Sequence, residues 1–112
     1  MAKSIKLGSD TYLDASGIVG IRGTIRSGNL DDYRTKQQSG WWYIATSNTA
    51  ITNCPAGASY SHLCVVTTSN GVDTDAVNQV IVNLNGIWYR TRSGSPIRWS
   101  HWFKLTGTDT GS

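Results

Sequence analysis

Residues 78–92 read NQVIVNLNGIWYRTR, and their alternation decides the fold. Val80, Val82 and Leu84 share one side, and Gln79, Ile81, Asn83 and Asn85 the other. That period of two is a strand signature. Asn85-Gly86 is a strong hairpin signal, because both residues tolerate the positive φ of a tight turn. The segment therefore reads as an antiparallel hairpin closed by a two-residue turn. In the returning strand, Ile87, Tyr89 and Thr91 lie on one face, with Trp88, Arg90 and Arg92 on the other. The first set is expected to pack with Val80, Val82 and Leu84 in the core. The second, a tryptophan flanked by arginines, is then left available. It suits a subunit contact, where Arg and Trp are favoured, or a sugar, which takes a flat ring against its C–H face and planar donors on its hydroxyls.

Working outward, the hairpin runs on into WSHWFKL, residues 99–105. Trp99 and Trp102 read as core closure, since each buried ring removes roughly 150–250 Å² from water. Upstream, HLCVVTTS (62–69) is a strand with apolar groups on both faces, followed by an Asn70-Gly71 turn in NGVDTDA. In GWWYIATS (40–47), Trp41, Tyr43 and Ala45 share one face, and Trp42, Ile44 and Thr46 the other. Both faces are expected to be covered, by the core or by another chain. Pro55-Ala56-Gly57 marks a turn. Asn29 is placed to cap one helical turn through Leu30, Asp31, Asp32 and Tyr33. SIKLGSDTYLDASGIVGIRG (4–23) reads as one or two short strands with turns. The chain divides into an N-terminal appendage, 1–28, a main domain, 29–106, and a frayed tail, 107–112.

Composition agrees with a mainly β fold. The chain has 112 residues, 38% hydrophobic and 15% charged, and contains no Glu, an omission rare in a helical protein. That length supports one core and no deep catalytic cleft beside it. The net charge of +3 comes from scattered Lys and Arg without a basic run, so no nucleic-acid partner is expected. No apolar stretch reaches the length of a membrane span, and MAKSIKLGSD has no signal-peptide core. The chain is thus expected to be made in a cytoplasm and not exported by the usual route, which leaves release by lysis open.

No residue set points to catalysis. His62 and His101 read as ordinary structural or surface histidines. Asp31 and Asp32 suit a helix start, and Asp73 and Asp75 a turn, so no paired carboxylates are offered for glycosidase chemistry. No metal or cofactor is expected. Cys54 and Cys64 fit no CxxC motif; they are either a disulfide across a loop or two free thiols, and a reducing compartment favours the thiols. The candidate ligand surface, chosen for ring and donor chemistry, is Trp42, Tyr60, His62, Trp88, Arg90 and Arg92.

Three stretches together resemble a known family: NLDDYRTKQQSGWWYI, then NCPAGASYSHLCVV, then QVIVNLNGIWYRTRSGSPIRWSHWFKL. Their ordered features are Leu-x-x-Tyr, Gly-aromatic-Tyr, Pro before a Leu-x-Val strand, a Gln-opened strand, Tyr-Arg-Thr and a final Trp-x-x-Trp. The order resembles the pyocin-knob type of domain over about residues 29–105. The resemblance implies a small antiparallel β-sandwich-like knob with a short helical turn, assembled as a homotrimer. It implies a place in the virion, at or near the tip of a bacteriophage tail fibre, with other tail or baseplate proteins as partners and no catalysis. The opening MAKSIKLGSDTYLDASGI is similar to the start of short phage minor structural proteins, which implies attachment or trimerisation for 1–28.

Three functions remain open at this point. One is a receptor-binding knob recognising a bacterial surface polysaccharide. The second is a structural virion component whose aromatics only join subunits. The third is a monomeric carbohydrate-binding module.

Overall fold

The computed structural model describes residues 20–67 and 76–111, and the backbone of 4–6 and 12–14. Ser4–Lys6 (β1) and Tyr12–Asp14 (β2) pair antiparallel as a two-stranded sheet. The main sheet has seven strands: Gly23–Ile25 (β3), Gly40–Ile44 (β4), Ser61–Thr67 (β5), Val77–Asn83 (β6), Gly86–Ser93 (β7), Arg98–Trp99 (β8) and Phe103–Leu105 (β9). They run in order β3-β4-β5-β6-β7-β8, and β9 also pairs with β7. The fold is mainly β, and every pairing in this sheet is antiparallel except β3 with β4. β3 lies inside the 1–28 segment, so the end of that segment is built into the edge of the sheet. The Asn70-Gly71 turn and Asp73/Asp75 lie outside the described residues, between β5 and β6, which pair antiparallel as a hairpin.

One face of the sheet carries the core. Ile25, Ile44, Leu63, Val65, Val77, Ile81 and Trp88 are buried there against Leu30, Ile51 and Ala58. The covering layer is irregular chain, 26–39 and 45–60 on either side of β4, with three short 3-10 turns: Leu30–Asp32, Lys36–Gln38 and Asn48–Ala50. Asn29 caps the first as expected, its side chain accepting from Asp31 N at 2.9 Å. The Pro55–Gly57 turn is also present, closed by Ala58 N donating to Pro55 O with Gly57 at φ 88°.

The hairpin of β6 and β7 is present, but its two-residue loop is Leu84-Asn85, one position before the expected Asn85-Gly86. Gly86 instead opens β7 at φ 148°, where a Cβ would lie 2.8 Å from the Leu105 carbonyl oxygen. The close approach of β9, rather than the loop, requires glycine there.

The face assignment is reversed. Val80, Val82, Ile87 and Tyr89 do share a face, with Val80 opposite Tyr89 and Val82 opposite Ile87. That face looks outward. The buried positions are Gln79, Ile81, Trp88, Arg90 and Arg92. Alternation specifies which residues share a face and is silent on which face is covered. Here the covering chain brings main-chain carbonyls that need donors, so the polar set faces inward.

Candidate functional site

The inner face is held by a polar network. The Gln79 side-chain amide donates to the Leu30 and Tyr33 carbonyls at 2.8 and 2.9 Å. Its oxygen accepts from Arg90 Nε at 2.9 Å. Arg90 Nη1 pairs with Asp31 at 2.9 Å. Nη2 has no hydrogen-bond partner among the described residues. The guanidinium carbon lies 3.9 Å from the Trp99 ring centroid and 4.6 Å from that of Trp102, so two π faces meet the charge. Burial pulls Arg90 below its ordinary pKa, and Asp31 opposes that shift.

Both indoles reach Arg90 because the strand edge slips by one residue. Arg92 opposes Trp99, and Tyr89 opposes Phe103. Four steps along the β8–β9 edge therefore match three along β7, which is a bulge. Without the extra residue, side chains three apart would point to opposite faces. The Ser100 hydroxyl accepts from Thr91 N at 3.0 Å within the bulge. Trp102 Nε1 then reaches the Asn53 carbonyl at 2.9 Å. Trp99 and Trp102 thus pack against the core as expected.

Of the six candidate ligand residues, Trp88, Arg90 and Arg92 lie on the inner face at 2%, 4% and 6% exposure. They form no surface, which corrects the expectation that this face is available. Trp42 also points inward, half-buried. Its Nε1 donates to Gln38 O at 2.9 Å, and its ring meets Tyr33 edge-on at 5.0 Å. Burial, reinforced by Asp32, raises the Tyr33 phenol above its ordinary pKa.

Tyr60 and His62 are on the surface. Tyr60 is 63% exposed and sits at φ 49°, the left-handed region that costs a bulky side chain on the order of 1–2 kcal/mol. Its N–H donates to Thr46 O at 3.1 Å, which anchors the backbone in that form. Two residues on, the His62 ring lies 5.3 Å from Tyr43 on the adjacent strand, tilted by 31°. The β4–β5 end of the sheet thus offers two phenols and an imidazole to solvent. Strain held at an exposed aromatic is a mark of a functional position. Tyr43 was missed because both faces of GWWYIATS read as covered, although its parity with Trp41 pointed here.

The outer face continues across five strands. One row is Tyr43, His62, Val82, Ile87 and Leu105; the next is Trp41, Cys64, Val80, Tyr89 and Phe103. Tyr89 stacks on Phe103 at 5.4 Å. Cys64 lies in this face and Cys54 packs against the core on the other, both as free thiols. Burial raises both thiols, Cys54 to about 11 against the opposing pull of Arg90.

No family model, no curated protein and no solved structure matches the chain.

Proposed function

We propose that the chain is a non-catalytic receptor-binding module of a bacteriophage tail-fibre tip, working in a homotrimer with other tail or baseplate proteins and recognising a bacterial surface glycan. The observation that carries this reading is Tyr60, an exposed ring held at a strained φ of 49° two residues before His62, whose ring meets Tyr43 at 5.3 Å. A pyranose presents C–H groups on its faces and hydroxyls around its rim. Rings supply the first contact, and phenol O–H and imidazole nitrogens the second. The corrected candidate surface is Tyr43, Tyr60 and His62, with Trp41 beside them. The resemblance of residues 29–105 to pyocin-knob domains supports the virion setting.

The test is binding to a glycan array and to whole bacteria, for the wild type and for Tyr60→Ala and His62→Ala. Both side chains are exposed, so unfolding midpoints should stay put. A tenfold or greater loss of binding in either variant is expected. Wild-type levels of binding in both, or no glycan bound by the parent, overturn the reading.

A second reading, a structural virion component, is favoured by one observation: three of the six residues chosen for sugar chemistry serve the core. It is the reading left if the array is blank.

A further inference from the structure

A cation stands beside the rings at the β4–β5 end of the sheet. Along β3 and its exit, Thr24 is exposed, Ile25 buried and Arg26 exposed. Thr24 and Arg26 therefore share the outer side. Register sets Thr24 beside Tyr43 and Tyr43 beside His62, one row across three strands. Arg26 and Tyr60 come next along the same end. Ala45 N donates to Ile25 O at 2.9 Å, and Arg26 Nη1 donates to Ala45 O at 3.4 Å. Tyr60 N donates to Thr46 O at 3.1 Å. The guanidinium and the strained tyrosine are thus tied to consecutive carbonyls of the chain leaving β4.

We infer that the saccharide taken at this end is anionic, with the Arg26 guanidinium holding its carboxylate or phosphate while Tyr60, Tyr43 and His62 meet its ring. This rests on the glycan reading above and narrows the class of ligand. A guanidinium has five N–H donors in a planar fork and no acceptor. A sugar hydroxyl both donates and accepts, so a guanidinium leaves its proton without a partner. Two anionic oxygens instead match the fork, and such charge-assisted bonds are about twice as strong as neutral ones. The 3.4 Å bond to Ala45 occupies a single N–H of the five. The described carboxylates are placed elsewhere. Asp31 holds Arg90 on the inner face, Asp32 lies in the same 3-10 turn, and Asp109 accepts from Gly111 N in the tail. The net charge of +3 adds a long-range field that draws anions. Carboxylate and phosphate offer the fork the same pair of oxygens, so the two are separated by experiment.

The experiment is an array of uronic-acid oligosaccharides, the same chains with their carboxyls reduced to neutral alcohols, and glycerol-phosphate oligomers. It is probed with the wild type, Arg26→Gln, Tyr60→Ala and Arg98→Gln. Arg98 is exposed on β8 at the opposite edge of the sheet, and its loss removes the same charge. The wild type is expected to bind the uronate or the phosphate members about tenfold more tightly than the neutral chains, and the member preferred names the anion. Arg26→Gln should lose that preference at an unchanged thermal midpoint, while Arg98→Gln stays within about twofold of the parent. Neutral chains bound as well as acidic ones, with binding lost in Tyr60→Ala and kept in Arg26→Gln, overturn the anionic class and leave the glycan reading standing. Equal losses in Arg26→Gln and Arg98→Gln reduce the effect to net charge and overturn the role of Arg26. An array blank throughout overturns both the anionic class and the glycan reading.

Discussion

The guanidinium of Arg90 lies 3.9 Å from the ring centroid of Trp99 while its Nη1 holds Asp31 at 2.9 Å. One buried cation thereby joins the bulged edge of the sheet to the first 3-10 turn of the covering layer.

Asp31→Ala leaves Arg90 buried without its counter-charge. Removing one partner of a fully buried pair costs about 3–5 kcal/mol. Asp31 is 34% exposed, so solvent screening lowers this to on the order of 2–3 kcal/mol. Urea unfolding should show it as a lower midpoint at constant slope, and an unchanged midpoint would refute the structural role of the pair.

Gln79→Leu strands the Leu30 and Tyr33 carbonyls together with Arg90 Nε. Each buried group left unpartnered costs about 1–3 kcal/mol. The expected loss is on the order of 3 kcal/mol in the same assay, larger than for any outer-face change on β6 such as Val82→Ser.

Trp88→Ala tests the reversed face directly. An exposed ring would be removed at little cost. A ring at 2% exposure should cost about 3–5 kcal/mol on truncation. A thermal melt within about 2 °C of wild type would put Trp88 back on the surface.

Gly86→Ala and Gly28→Ala separate crowding from strain. Both glycines have positive φ, at 148° and 97°, but only Gly86 has an atom in the way, the Leu105 carbonyl oxygen at 2.8 Å. Gly28→Ala is expected to cost about 1 kcal/mol. Gly86→Ala should cost more, on the order of 2–3 kcal/mol, and speed amide exchange in β9, whose contact with β7 it wedges apart.

The Cys54 thiol, raised to about 11 by burial, is neutral in the folded chain where an unfolded thiol has begun to ionise. The folded state therefore keeps a proton that the unfolded state loses. Its contribution is fully present below about pH 9 and fades as the pH climbs towards 11. Cys54→Ala should flatten the fall of stability with pH across that window, and iodoacetamide should label native Cys54 far more slowly than the unfolded chain.

Strands β4 to β7, the presence of their last hairpin, the Asn29 cap and the Pro55 turn were legible because each rests on residues adjacent in sequence, whereas β8 and β9 were hidden in a stretch that reads only as core closure. The inner and outer faces of β6 and β7 were not legible. Counting apolar side chains puts Val80, Val82, Ile87 and Tyr89 inside. Gln79 and Arg90 face inward because the covering layer arrives as irregular chain with bare carbonyls, which no local pattern announces. The bulge at Ser100–Trp102 was hidden for a related reason: Trp99 and Trp102 read as core, but only the register against β7 explains how both rings reach one cation. Half of the candidate ligand residues fell with the face assignment. Tyr60 remained on the surface because it lies in a loop, and His62 because it alternates with the buried Ser61 and Leu63 on β5.

Apart from the Arg90–Asp31 pair, the anchors of the covering layer share one property. Gln79, Asn83, Asn85 and Trp102 donate to the main-chain carbonyls of Leu30, Tyr33, Gly57, Ser59 and Asn53, and not to side chains of the layer. A carbonyl is present whatever residue carries it. Many exposed side chains of 26–39 and 45–60 can therefore be exchanged without loosening these clamps, while the clamping residues themselves cannot. Diversity introduced into that layer, by a library or by natural drift, would be carried on an unchanged frame.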